Sequence, residues 1–545
     1  MTGPGTESYD YIIVGAGSAG CALAARLSES GRHRVLLLEA GPDDRRFWVQ
    51  VPIGYGRTFY DPRVNWMYET AAVPGLDGRT SYWPRGKVLG GSSSINAMVL
   101  VRGQAEDYED WRAAGNPGWG WQDVLPLFKR MESHAWGESD HHGGAGPLHV
   151  MAPAKDLHPT CEDFLSACEE AGLSRNADFN GADQEGVGTY HITVKDGMRM
   201  SAARAYLWPA RRRANLRIET GAEAQRILFE GRRAVGIEYL RRGRRETARA
   251  GAEVILSAGA INTPKLLLLS GVGPAEELKA LGIAPVSDSP AVGRHLQDHF
   301  DVGLIYRSKV PTLNDELYPW WGKLWAGVKY LAARRGPLAI SLNHAGGFIR
   351  SRPGLDRPNL QLYFSPLSYL KAPPGTRPLM NPDPYAAFHI SVSPCRPTSH
   401  GVLRLRSSDP DAAPEIQPNY LDTDHDRQEV IEGLRFLRNL AETPAMRRII
   451  AEAALPHPTG DDDASLLAYA RQHGNTVFHP AGTCRMGPDG AACVVDPTLR
   501  VHGAEALRVA DASIFPRMTS GNINAPSIMV GEKASDLILQ RNSLS

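Results

Sequence analysis

The first pattern along the chain is an unbroken apolar run, Tyr11-Ile12-Ile13-Val14, of strand length and with no polar alternation. Gly15-Ala16-Gly17-Ser18-Ala19-Gly20 follows at once, then Ala- and Leu-rich sequence to Leu27, which predicts strand, tight turn and helix. After Gly31 a second apolar run, Val35-Leu36-Leu37-Leu38, ends in Glu39 and completes a βαβ unit of the expected ~30 residues. Runs that are apolar on both faces predict parallel, central strands. From Asn215 to Leu256 shorter alternating strands are broken at Glu230-Gly231-Arg232-Arg233, and Glu253 to Ser257 feeds Ala258 to Pro264. There the spacing predicts a helix over Pro264 to Leu269, capped by Thr263 and halted by Ser270-Gly271. Between about 306 and 470 the texture changes to Trp320, Trp321 and Trp325, many prolines, and alternating stretches such as Gly401 to Arg406. There is no solenoid-period repeat and no long low-complexity tract. The fold class expected is α/β (α+β). A discontinuous domain of 1–155, 200–305 and 471–545 carries a parallel sheet with a β-meander. A second domain of 156–199 and 306–470 is built on a mainly antiparallel sheet flanked by helices.

Length and charge narrow the picture. At 545 residues the chain exceeds what one hydrophobic core supports, consistent with at least two folding units. Lys plus Arg equals Asp plus Glu at 60 each, so no global field exists to hold nucleic acid, and none is expected as a partner. The basic runs Arg211 to Arg213 and Arg241 to Arg245 are read as solvated faces. No apolar run approaches the ~18 residues that suggest a membrane span, so no integral membrane segment is expected. The N-terminus lacks the layout of a secretory signal, which makes a cytoplasmic location the expectation, with peripheral membrane contact left open. Six cysteines without a CxxC pair argue against a disulfide framework and a zinc ribbon, and no metal is expected; Cys161 and Cys168 read as core thiols. Neither HExxH nor GxSxG occurs, which removes the usual signals of hydrolysis.

The glycine turn carries the first chemistry. Gly15 allows the turn, Gly17 lets the backbone approach a pyrophosphate, and Gly20 lets the helix pack on the strand. Glu39, roughly 20 residues past the last glycine, stands where a carboxylate accepts the ribose hydroxyls of an adenine dinucleotide. This fingerprint does not separate NAD from FAD. A second Gly- and Ser-rich loop, RGKVLGGSSSINAMVLVRG at 85–103, suits backbone N–H groups laid against an anion or a ring.

These blocks, with two more, resemble the glucose-methanol-choline (GMC) oxidoreductases, FAD-dependent alcohol oxidases and dehydrogenases. The resemblance runs from about Tyr9 to Leu539. It rests on GAGSAG with Glu39, GKVLGGSSSIN at 86–96, GAINTPKLLLLSGVG at 259–273, and HPAGTCRMG at 479–487 with DASIFPRMTSGNINAPSIMVGEKASD at 511–536. It implies an FAD-binding role for the first domain and a substrate-binding role for the second. FAD contacts carried over onto this sequence are Gly15, Gly17, Ser18, Ala19, Gly20, Glu39, Ala40, Gly91, Asn96, Ala97, Val99, Ala224, Asp511, Ala512, Asn524 and Pro526. Some relatives attach FAD through a His just before the residue matching Asn96; Ile95 stands here, so noncovalent FAD is expected.

The catalytic pair implied by the resemblance is His479 and Asn522. An alcohol that gives up a hydride must also lose its hydroxyl proton, which a neutral imidazole can take, a role worth ~100- to 10,000-fold in rate. An amide N–H can meet the developing alkoxide without competing as an acid. The expected arrangement has the substrate carbon facing flavin N5 and its oxygen between His479 and Asn522. Pro480 pushes His479 toward extended backbone, a way to hold an imidazole out from a loop. The partners expected are a small-molecule alcohol and an electron acceptor, O2 or a quinone- or dye-type compound, with Val477 and Gly482 leaning toward oxygen use. Choline-oxidising relatives carry an acid near the segment resembling Asn343 to Gly347, and the lack of one immediately before Ala345 here disfavours choline; Trp320, Trp321, Trp325 and Tyr363 are candidates to line an apolar pocket. The alternative function is a hydroxynitrile-lyase-like enzyme whose flavin takes no part in redox chemistry.

Overall fold

The computed structural model describes residues 7–152, 156–369, 381–454 and 456–540. Among these, two seven-stranded sheets dominate. The first runs in the order Leu216–Thr220, Val35–Glu39, Ser8–Val14, Arg244–Leu256, Arg233–Arg241, Ala222–Glu230, with Leu507–Val509 added beside Arg244–Leu256. Ser8–Val14 pairs in parallel with Val35–Glu39 and with the C-terminal half of Arg244–Leu256. Val35 to Leu38 are all fully buried, as a strand covered on both faces requires.

The strand Arg244–Leu256 joins two patterns. Its first residues close an antiparallel meander with Arg233–Arg241 and Ala222–Glu230, while its last residues, Glu253 to Leu256, lie parallel to Tyr11 to Val14. The alternating stretch and the apolar stretch of the sequence thus belong to one continuous strand, which ends at the site. Helix Ser18–Leu27 follows the glycine turn and packs against the C-terminal helix Asn524–Leu539, where a Cβ on Gly531 would meet the Ala19 carbonyl oxygen at 2.4 Å. Fully buried Glu532 clamps that pair: its carboxylate takes Arg26 at 2.9 Å, Arg130 at 2.7 Å and the Tyr206 hydroxyl at 2.8 Å.

The helix expected over Pro264 to Leu269 begins earlier, at Gly259, and Thr263 is not its cap. Pro264 lies inside it and lacks an N–H for the Ala260 carbonyl; the Thr483 hydroxyl donates to that oxygen instead at 2.7 Å. A residue more than two hundred positions away thus makes an interior proline tolerable. Thr263 uses its hydroxyl to accept from Ala258 N at 3.1 Å and to donate to Asp511 at 2.6 Å.

The second sheet is antiparallel throughout, in the order Ile450–Ala453, Phe300–Ser308, Ala387–Pro394, Leu360–Ser365, Ala345–Ile349, Gly186–Thr189. Asn475–Thr476 pairs with the start of Phe300–Ser308. The strand Phe300–Ser308 crosses residue 305, so the expected boundary at 305/306 falls inside it. Asp301, Tyr363, Ser365, His389 and Ser391 of this sheet line the same cavity as Val14, Leu38 and Glu39 of the first.

Candidate active site

Between the two sheets lies a cavity of about 810 Å³ that runs from Glu39 to His479. At one end, Gly15 sits at φ +98°, a conformation only glycine adopts cheaply, and a Cβ there would strike the Ser257 carbonyl oxygen at 2.5 Å. Glu39 ends its strand fully buried, its two oxygens accepting from Ala16 N at 3.1 Å and Gly41 N at 2.9 Å. Burial pushes its carboxyl up to about 7, against the pull of those two N–H donors. A buried carboxylate facing a cavity gains from hydroxyl donors, which is what a ribose presents.

Two helix N-termini meet in the middle of the cavity. Ser18 opens one helix and Asn524 the other, and the Ser18 hydroxyl donates to Asn524 Oδ1 at 2.7 Å. Their dipoles converge on a place suited to a pyrophosphate. Asp511 lines the same region, but its carboxylate is held by the protein: it accepts from Gly259 N at 2.8 Å, Thr263 Oγ1 at 2.6 Å and Ser513 N at 2.8 Å. Its side chain therefore shapes the loop, leaving the Asp511 and Ala512 backbone toward the cavity.

Gly17, Ala19, Ala40, Gly91, Asn96, Ala97, Val99 and Ala224 also line the cavity, whereas Gly20 and Pro526 do not. Gly20 is a packing residue: a Cβ would run into the Gly15 carbonyl oxygen at 2.0 Å. Pro526 is buried within the first turn of its helix. Asn96 Oδ1 is taken by Met98 N at 3.1 Å and by Arg199 Nη1 at 2.8 Å, so Asn96 fixes the loop that presents 97–99. Arg199, which sequence reading did not single out, is fully buried and burial pulls its guanidinium down to about 9. Ile95 is buried against Val49, Val64 and Val88.

At the other end, His479 and Asn522 face each other, with Asn522 Nδ2 3.2 Å from His479 Nε2. The loop that carries His479 is pinned by Asp298, whose carboxylate accepts from His479 N at 2.7 Å and from the hydroxyls of Tyr420 and Thr476. Arg85 donates to the Phe478 carbonyl at 2.6 Å, and Phe478 itself is at φ +68°. The strained residue and the following proline turn the imidazole into the cavity.

Hydrogen bonds around the ring assign its protons. His299 Nε2 is 2.8 Å from the Cys395 carbonyl and must donate to it. Its Nδ1 is then a lone pair, 2.9 Å from His479 Nδ1, which must carry hydrogen. His479 Nε2 is left as the lone pair that Asn522 Nδ2 meets. Gln361 Nε2, 3.2 Å from Asn522 Oδ1, fixes the orientation of that amide, while the same Nε2 also donates to the Tyr190 hydroxyl. Burial holds both imidazoles in the neutral form, His479 well below the ordinary histidine value and His299 at about 4; the neighbouring His299 and Arg85 push His479 further the same way. The arrangement is a neutral imidazole at the cavity wall whose Nε2 accepts from the Asn522 amide.

His299, Gln361 and Asp301 escaped the sequence reading. Asp301 lines the cavity, and its negative charge adds to the burial that raises the phenols of Tyr363 and Tyr369. The signal available was His299-Phe300-Asp301 itself, an imidazole and a carboxylate two residues apart where a strand begins. Of the aromatic candidates, Tyr363 lines the cavity, but Trp320, Trp321 and Trp325 point outward, 72%, 63% and 60% exposed. They lie on helix Trp320–Ala333, whose opposite face is the one that packs.

The GMC oxidoreductase family models match residues 9–301 for the N-terminal part and 397–531 for the C-terminal part. An alcohol dehydrogenase [acceptor] of Pseudomonas putida is 43% identical over 98% of this chain and 96% of its own. The mitochondrial choline dehydrogenase of Homo sapiens is 44% identical over 99% of this chain and 91% of its own. Among solved structures, pyridoxine 4-oxidase from Mesorbium loti superposes with a TM-score of 0.86 at 31% identity, covering 96% of this chain and 98% of the other. The lyase alternative finds no support in these relatives. A buried carboxylate, two converging helix N-termini and a neutral imidazole along one cavity fit FAD and an alcohol. The chain belongs to the GMC oxidoreductase family, FAD-dependent enzymes that act on alcohols.

Proposed function

We propose that this enzyme oxidises a primary or secondary alcohol to its carbonyl compound with His479 as the base and Asn522 as the oxygen-binding donor. The observation that carries this is the pair of contacts at His479, Nδ1 to His299 Nδ1 at 2.9 Å and Nε2 to Asn522 Nδ2 at 3.2 Å, which together assign the accepting lone pair to Nε2 on the cavity wall. FAD, held noncovalently along the Gly15 to Glu39 wall, supplies the hydride acceptor. His479 Nε2 takes the hydroxyl proton while Asn522 Nδ2 turns from the imidazole to the developing alkoxide, so oxygen enters between two groups already in place. His299 stays neutral and accepts from His479 Nδ1, stabilising the imidazolium as it forms. Bound FAD would in turn need an electron acceptor, O2 or a quinone- or dye-type compound.

Substrate class follows from the far wall. Asp301 with the rings of Tyr363 and Tyr369 provides negative charge and aromatic faces in one place, the combination that favours a cationic head group. Relatives named choline dehydrogenases agree with that chemistry. Asp301 supplies its charge from strand Phe300–Ser308, although no acid precedes Ala345. An anaerobic screen of aliphatic, benzylic and amino alcohols, scored by loss of the flavin's visible absorbance, tests both statements. Bleaching by amino alcohols with a KM that rises at least ~10-fold in Asp301→Asn is expected. No bleaching by any alcohol overturns the oxidoreductase reading, and an unchanged KM overturns the cation reading alone.

A further inference from the structure

We propose that helix Trp320–Ala333 seats this enzyme flat on an anionic lipid bilayer surface. Six apolar side chains, Trp320, Trp321, Leu324, Trp325, Val328 and Leu331, stand 45% to 72% exposed along the helix. At 100° per residue they fall within an arc of about 140°, one continuous outward stripe. Scattered exposed hydrophobics are ordinary on a protein surface, but a contiguous stripe with three indoles is not. The opposite face is the one the fold uses: Ala326 and Tyr330 are buried in a cluster with Tyr55, Leu342 and Leu367. Within the stripe the Trp320 and Trp321 rings stand edge to face, 6.1 Å apart.

Charge chooses the occupant. The helix holds no acidic residue; Lys323 and Lys329 flank the stripe on its two sides, and Arg334 caps its C-terminus. Phe47 and Trp48, 50% and 36% exposed, lie on the Tyr330 side of the helix, with Phe47 against Tyr330 and Arg57 over the Trp48 ring at 5.6 Å. Indoles beside lysines suit the headgroup layer, where an amphipathic ring keeps its N–H wet and a cation meets lipid phosphate. A second copy of the same face would set lysine against lysine across an isologous contact, which disfavours a dimer there. At fourteen residues the helix is too short to span, and no described helix is long and apolar enough to cross a membrane.

The seat is coupled to the cavity by packing. Tyr55, Leu342 and Leu367, on which the helix rests, also line the cavity, so one layer of side chains separates the bilayer from the site. The surface is independent of the alcohol chemistry, and its test reads binding rather than turnover. FAD-loaded enzyme is sedimented with vesicles of phosphatidylcholine doped with phosphatidylglycerol, and with phosphatidylcholine alone, while tryptophan emission is followed. The expected result is binding that prefers the anionic vesicles, weakens with salt and shifts the emission to the blue. Trp320→Ser/Trp321→Ser/Trp325→Ser should retain FAD and turnover of a water-soluble alcohol yet bind at least ~10-fold more weakly. Lys323→Glu/Lys329→Glu should lose the preference for anionic lipid. Failure of the native enzyme to bind, or equal binding by the triple variant, overturns the proposal. So does sedimentation showing a native dimer that the triple variant dissociates while neither binds vesicles.

Discussion

Replacing His299 by Phe is the sharpest perturbation of the base, because it removes the acceptor of His479 Nδ1–H; it also removes the donor to the Cys395 carbonyl, which His299→Gln keeps. That bond is 2.9 Å long in a fully buried place. Orphaning a buried N–H costs about 1–3 kcal/mol. His479 escapes this only by moving its proton to Nε2, which abolishes the lone pair that takes the hydroxyl proton. Either way the competent form rises by that amount, and at 1.36 kcal/mol per decade the rate of flavin reduction falls ~5- to 150-fold. The loss should appear in the limiting rate of anaerobic stopped-flow bleaching, with a smaller change in apparent substrate affinity. His299→Gln should restore most of it, since its amide oxygen accepts from Nδ1–H while its N–H2 reaches the Cys395 carbonyl. A His299→Phe enzyme with full FAD content, the native reduction rate and the native pH profile would refute the proton assignment.

Two further outcomes follow from the buried charges. Glu532→Ala takes from Arg26 its buried carboxylate and leaves Arg130 with Asp536 alone, and should lower unfolding free energy by about 3 kcal/mol in urea melts. His142 lies between Glu132 at 3.0 Å and Asp178 at 2.7 Å, and although burial opposes its charge, those two carboxylates raise it to about 9. A raised histidine gives stability that is fully present below its unfolded value near ~6.5 and lost as pH climbs through its folded value. His142→Gln should therefore destabilise most at pH 6 and least near pH 10, seen as a melting-temperature difference that shrinks with rising pH.

The fingerprint was readable because its parts are neighbours in sequence. An apolar run, a glycine turn and a terminal acid within forty residues report their own geometry, and Gly15, Gly20 and Glu39 sit where that logic placed them. The partners that orient the base are not neighbours: His299 and Gln361 stand 180 and 161 positions from the residues they hold. No periodicity reports such contacts, and His479 and Asn522 were reached through a family resemblance. The early start of helix Gly259–Leu269 was hidden for the same reason, since the Thr483 hydroxyl that satisfies Ala260 comes from another segment. The tryptophans near 320 misled in the opposite sense, because apolar side chains are placed inside by default and here the sequence carries an outward face.

The most direct measurement is anaerobic reduction of His479→Ala enzyme by its best alcohol. With FAD bound as in the native protein, the reduction rate should fall at least ~100-fold, and added imidazole should recover part of it. Native-rate bleaching by that variant would place the hydroxyl proton on another group and contradict the role given to this imidazole.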